Sequence, residues 1–147
     1  MIIICDTRQK DGKHKIKHEY LEGQGFELEF LPLQVGDYMI PNGNISVDTK
    51  RHLGEVATNV FGEKDRFLRE IQRAKKSGIK LVFLIEHGEG IKRLEDVRNW
   101  YSKYKKVTGQ SLEKRMRQLH VNYGVDFRFC NKNETGQRII DILTGGE

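Results

Sequence analysis

The sequence predicts an α/β fold, a mixed central sheet flanked by helices on both faces. Three observations carry this. Apolar runs of strand length recur along the chain, separated by amphipathic segments of helical period. The run IKLVFLIEH, residues 79–87, is apolar almost throughout, as a strand covered on both faces has to be. The elements form a strand meander in the first half and alternate strand with helix in the second, so one sheet receives both antiparallel and parallel neighbours.

Taken in order, IIIC (residues 2–5) is a short apolar strand that ends at Asp6, and DTRQKDGKHK is a polar loop. HKIKHEYLEGQG places Ile16, Tyr20 and Leu21 at helical spacing and stops at glycine, so a short helix is expected there. FELEFLPL alternates as a strand up to Pro32. A hairpin follows over VGDYMIPNGNISVDTKR. LGEVATNVFGEKDRFLREIQRAKKSG reads as helix with Phe67, Ile71 and Ala74 on one face, Gly62 as a break and Gly78 as a stop. After the apolar strand, RLEDVRNWYSKY and SLEKRMRQLHVNYG read as two helices around KVTGQ. VDFRFC is a strand, and NETGQRIIDILTGG a last helix with Asn133 as its N-cap.

The hairpin holds the chemistry. Asn42-Gly43 favours a two-residue type I′ turn. That turn pairs Tyr38 with Val47, Met39 with Ser46 and Ile40 with Ile45, and sets Asp37 against Asp48. Side chains alternate along a strand, so Tyr38, Ile40, Ile45 and Val47 form an apolar face and Asp37, Met39, Ser46, Asp48 and Lys50 the other. Opposed carboxylates repel, by roughly 0.2–1 kcal/mol when solvated. A cation between them reverses the sign, and carboxylate oxygens are the donors Mg²⁺ prefers. The pairing alone leaves two readings open: a metal site, or a solvated face on which Lys50 relieves the repulsion. Asp6 and Glu86, each ending an apolar strand, are candidates to join a carboxylate cluster at a cleft.

Composition bounds the rest. The chain has 147 residues, 37% hydrophobic and 32% charged, enough for one domain with a core of its own, residues 1–147. A net charge of +5 suits a polyanionic partner such as nucleic acid. Cys5 and Cys130 lie in apolar strands without metal-ligand spacing, which fits buried thiols in a reducing compartment. No apolar run approaches a membrane span, and the short N-terminal run lacks a basic leader, so a cytoplasmic protein is expected. Between Val97 and His120, Lys103, Lys105, Lys106 and Arg115 stand among Trp100, Tyr101 and Tyr104, a basic and aromatic stretch able to track phosphates and stack on bases. The same residues also suit a solvated helix face with aromatic core anchors.

The segments IICDTRQ, LQVGDY, ISVDTKR, DRFLREIQRA and LVFLIE, in this order, resemble the XPF-type nuclease domain of the PD-(D/E)xK, or restriction-endonuclease-like, superfamily. The resemblance runs over essentially the whole chain, to ETGQRIIDIL at its end. It implies a restriction-endonuclease-like core and Mg²⁺- or Mn²⁺-dependent cleavage of DNA, on branched substrates or single/double-strand junctions. By position, Asp6 and Arg8 match the start of the family's D-x-R-E, Asp37 the aspartate of G-D, Asp48 the motif acid, Lys50 the motif lysine and Arg66 the helix arginine. The implied ligands are Asp37, Asp48, the Thr49 carbonyl and Asp6, with Lys50 beside the attacking water and Arg8 and Arg66 as DNA contacts. Three positions depart from the pattern. Gln9 replaces a glutamate, Thr49 an arginine, and Gly54 a downstream acid that Glu55 or Glu86 would have to replace. The family's common helix-hairpin-helix domain is not part of the 147 residues, so a domain acting by itself is expected, in a bacterial or phage setting. The alternatives are a DNA-binding or junction-recognition module that has lost catalysis, a partner subunit of a nuclease that uses the apolar faces of the last two helices to dimerise, and a restriction-type enzyme.

Overall fold

The computed structural model describes residues 1–10, 12–87, 90–102 and 106–145. The strands are β1 (Ile2–Asp6), β2 (Glu27–Leu31), β3 (Tyr38–Met39), β4 (Ile45–Lys50), β5 (Lys80–Glu86) and β6 (Asp126–Cys130). The helices are α1 (Lys15–Gly23), α2 (Leu53–Ala57), α3 (Lys64–Lys76), α4 (Gly109–Tyr123) and α5 (Thr135–Leu143). The strands form one sheet in the order β2-β1-β3-β4-β5-β6. β3 runs antiparallel to β1 and β4, while β1–β2, β4–β5 and β5–β6 are parallel. The sheet is mixed, as expected.

β5 explains why the sheet has two covered faces. Leu81, Val82, Phe83, Leu84 and Ile85 are all buried. Alternation sends Leu81, Phe83 and Ile85 to one side, where they meet Phe67 and Ile71 of α3 and Leu112 and Met116 of α4. Val82 and Leu84 go to the other side, against Leu21 of α1 and Ile139 and Ile142 of α5. These two cores use the apolar faces of α4 and α5 inside the chain, so the expected use of those faces as a dimer surface is not supported.

Four local expectations change. The hairpin turn is closed by Gly43 N–H donating to the Ile40 carbonyl at 2.9 Å, with Pro41 and Asn42 at its centre and Asn42 at φ +63°. Proline presets the first central position of a type II turn and asparagine tolerates the left-handed second, so Pro41-Asn42 replaces Asn42-Gly43 at the turn's centre. The Tyr38–Val47 and Met39–Ser46 pairs survive. Residues 94–99 form a 3-10 helix and Trp100 is extended, in place of the longer helix expected up to Tyr104. The last helix begins with a 3-10 turn capped by Asn131, whose N–H donates to Glu134 Oε1 at 2.9 Å, so Asn131 replaces Asn133 as the cap. In α1 only Leu21 is buried, and Ile16 is 80% exposed because α1 turns that side toward an open cleft.

Gly62 ends a π-helical turn over Thr58–Gly62, and α3 restarts two residues later. The break aims α3 back across β4 and β5. Phe67 then packs on Phe83, ring centroids 5.1 Å apart, and Phe83 stacks on Phe127 at 5.4 Å. No helix among the described residues is long and apolar enough to cross a membrane.

Candidate active site

A cleft of about 750 Å³ opens at the ends of β4 and β5, between α1 and the α2–α3 segment. Its lining includes Asp37, Asp48, Thr49, Lys50, Glu70 and Glu86. Cations also line it: Arg8, Lys13, Lys17, Arg51, Arg66 and Lys132.

The site starts at Gly36. Its φ is +75°, and a Cβ there would lie 1.9 Å from Ser46 Oγ, so only glycine lets the chain pass over β4 at this point. Ser46 Oγ donates to the Val35 carbonyl at 2.8 Å and pins the crossing. The crossing ends the ladder at Tyr38–Val47, because the Asp37 amide then donates to the Val47 carbonyl at 2.8 Å. Asp37 Oδ2 accepts from the Thr49 amide at 2.9 Å and from Thr49 Oγ1 at 3.2 Å. The carboxylate thus takes a β4 amide that no strand partner reaches.

Asp48 and Lys50 point to the α3 face of β4, opposite Phe83 and Ile85. Asp48 is 8% exposed, with Lys50 Nζ 3.6 Å from its Oδ1. Lys50 Nζ lies 5.8 Å from the Phe67 ring centroid and 5.7 Å from that of Phe83, so two aromatic faces hold the cation in place. Burial, then the charge of Asp48, pushes the Asp37 carboxyl up to about 7, against the opposing pull of the Thr49 amide and Lys50. Burial also pushes Asp48 up; Lys50 opposes this and Glu70 adds to it. Burial, with a neighbouring carboxylate beside each group, therefore disfavours the charged forms of both more than Lys50 offsets. That deficit is what a divalent cation supplies, and two carboxylates with a backbone carbonyl and water suit a hard cation such as Mg²⁺. Among the described residues no three His, Cys, Asp or Glu side chains already gather around one point.

The other expected residues divide. Asp6 is buried outside the cleft lining, its Oδ1 accepting from the Leu33 amide at 2.9 Å and its Oδ2 from Arg8 Nε at 2.6 Å. Burial alone would raise its pKa, but the Leu33 amide and the Arg8 guanidinium more than offset this and lower it. Gln9 is buried and accepts from the Tyr38 hydroxyl at 3.1 Å. Arg66 lines the cleft and pairs with Glu63 at 3.2 Å. Glu55 is tied to Arg51 at 2.9 Å, and Glu86 lies 3.8 Å from Lys17, both side chains of that pair being largely buried.

The basic stretch is elsewhere. Lys103, Tyr104 and Lys105 lie outside the described residues. Arg98 and Arg117 both clamp Glu113, at 2.9 and 2.8 Å, Arg115 reaches Gln118 at 3.3 Å, and Lys106 is exposed. Trp100 packs on the core and Tyr101 is 81% exposed. Sequence reasoning missed Glu70 and the rim cations Lys13, Lys17 and Lys132.

The mixed six-stranded sheet with helices on both faces is a restriction-endonuclease-like fold, and it carries an acid pair and a lysine where its hairpin ladder ends. The chain belongs to the ERCC4 domain family, which matches residues 5–142. Two of the solved structures similar to it are XPF structures. XPF from Aeropyrum pernix superposes with a TM-score of 0.73 at 17% identity, over 97% of this chain and 63% of that one. XPF from Aeropyrum pernix in complex with DNA does so with a TM-score of 0.71 at 18% identity, over the same shares of 97% and 63%. The chain thus spans 63% of the length of the XPF chains it matches. No curated protein matches the sequence.

Proposed function

We propose that this domain is a divalent-metal-dependent endonuclease that hydrolyses DNA phosphodiester bonds, on branched or structured DNA. The observation that carries the reading is the pair Asp37 and Asp48, short of positive charge, on the floor of a cation-rimmed cleft with Lys50 beside them. Membership of the ERCC4 domain family and the likeness to an XPF described in complex with DNA support it.

Asp37, Asp48 and the Thr49 carbonyl hold Mg²⁺ or Mn²⁺ in this reading. Held there, the cation would supply polarisation of the phosphoryl oxygen and a water of lowered pKa. Lys50, steadied by Phe67 and Phe83, orients that water and offsets charge that develops on the phosphate. Arg8 and Arg66 meet neighbouring phosphates at the rim. We assign Asp6, first considered as a ligand, the positioning of Arg8 and of the chain at Leu33.

A second reading, a DNA-binding module without catalysis, is favoured by Asp6 and Gln9, whose side chains are engaged in bonds away from the cation site. Incubation with flap, fork and linear DNA in Mg²⁺, Mn²⁺ or EDTA separates the two. Metal-dependent cleavage of branched DNA, absent in Asp48→Asn, is expected. Binding without cleavage in every condition leaves the module.

A further inference from the structure

The carboxylates of the cleft are not equally engaged. Glu55 is matched by Arg51, Glu63 by Arg66 and Glu86 by Lys17, and Asp37 accepts from Thr49. Glu70 differs. It lines the cleft from α3, one turn from Phe67, on the side of the helix that faces the sheet. Its charge is close enough to Asp48 to oppose that group's ionisation. Its Oε1 is buried and has no hydrogen-bond partner. A buried carboxylate oxygen left without a donor destabilises the fold, so its position needs a compensating group. That group has to be positive or a donor, and it has to fit beside Asp48.

We infer that Glu70 is a ligand of the divalent cation, so that the site takes its third carboxylate from α3 rather than from Asp6. This rests on the cation-site reading above. Asp37 and Asp48 reach the cation from the hairpin, and Glu70 from the helix packed across it. Among the described residues the three carboxylates do not converge on one point, and in this inference rotation about the Glu70 side-chain bonds brings the third onto the ion. Asp6 has no such freedom, since Arg8 and the Leu33 amide occupy both its oxygens.

Mn²⁺ titration calorimetry at pH 8 tests this without DNA, on the wild type and on Glu70→Gln, Glu70→Asp, Asp6→Asn and Asp48→Asn, with folding checked by circular dichroism. Glu70→Gln keeps the shape and removes the charge. It is expected to weaken Mn²⁺ by about 10–100-fold, the scale on which changes around a metal act, or more. Glu70→Asp is expected to fall between it and the wild type, and Asp6→Asn to bind as the wild type does. Wild-type Mn²⁺ affinity in both folded Glu70 variants, with Asp48→Asn impaired, overturns the assignment of Glu70 alone. Loss of Mn²⁺ in Asp6→Asn with Glu70→Gln intact returns the third ligand to Asp6. A wild type that binds no Mn²⁺ overturns the cation site itself, and this inference with it.

Discussion

Asp37 and Asp48 give the site both its use and its cost. Without metal, burial and then the charge of Asp48 hold Asp37 at about 7, and burial, with Glu70 adding to it, raises Asp48 as well. In the unfolded chain both titrate near the ordinary aspartate value of about 3.9. Between those limits the folded state keeps protons that the unfolded state has released. Stability therefore falls as pH rises from about 4 to about 7, and levels off above that. Asp48→Asn removes one charge of the pair. Its melting temperature in EDTA is expected to exceed that of the wild type at pH 8, with little difference at pH 4.5. Mg²⁺ at pH 8 should then raise the wild type and not the variant. Calorimetric melts at the two pH values check this, and a gap between the proteins that does not change with pH would refute it. At this scale the sequence was only partly legible. Asp48 and Lys50 share a face by strand alternation, while Asp37 lies just before β3 and reaches the site through the Thr49 amide. Glu70 was visible too, as a carboxylate at the helical spacing of Phe67 and Ala74, but a stripe of apolar residues hides one acid among them. That Asp6 is consumed by Leu33 was not readable, because the contact joins residues 27 positions apart.

At the scale of elements the hairpin does the positioning, and Gly36 is its weak point. Alanine there takes a left-handed φ of +75° and drives a methyl to within 1.9 Å of Ser46 Oγ. Strain and overpacking of this kind cost about 1–3 kcal/mol each. Gly36→Ala is expected to lower the urea midpoint by a corresponding amount. It should also weaken Mn²⁺ binding, since the displaced crossing carries Asp37 away from the Thr49 amide. Chemical denaturation and metal titration of the same variant measure both effects, and a variant with wild-type values in both would show that the crossing tolerates a side chain. The glycine was legible as part of G-D, but its reason was not. The close approach to Ser46 needs the true turn, and the sequence favoured Asn42-Gly43 over Pro41-Asn42. The same limit applies to residues 94–99. Their helical spacing is real, yet they close as a 3-10 helix because Trp100 must extend to reach the core.

For the molecule as a whole, the proposed function raises the question of which surface would meet the DNA. The net charge of +5 does not locate it, and the sequence pointed to the stretch around Lys103 and Arg115. The fold divides the charge differently. Arg98 and Arg117 are spent on Glu113, while Lys13, Arg66 and Lys132 stand around the acid pair. A phosphate that reaches the pair must pass these rim cations, and each phosphate contact releases counterions as it forms. The dependence of log K on log salt therefore counts the contacts, at about −0.9 per neutralised phosphate on duplex DNA. The double variant Arg66→Ala with Lys132→Ala is expected to flatten that slope by up to about 2 and to weaken binding similarly for any sequence. Lys114→Ala with Arg115→Ala, on α4, is expected to leave the slope within about 0.5 of the wild type, since neither residue lines the cleft. The measurement is fluorescence anisotropy with a flap substrate in EDTA across a salt series, so that binding is read apart from cleavage. If the α4 pair flattens the slope and the rim pair does not, the DNA lies along α4 and enters the cleft only where it is cut. The rim cations would then serve the scissile phosphate alone, and the basic stretch first read in the sequence would be the track.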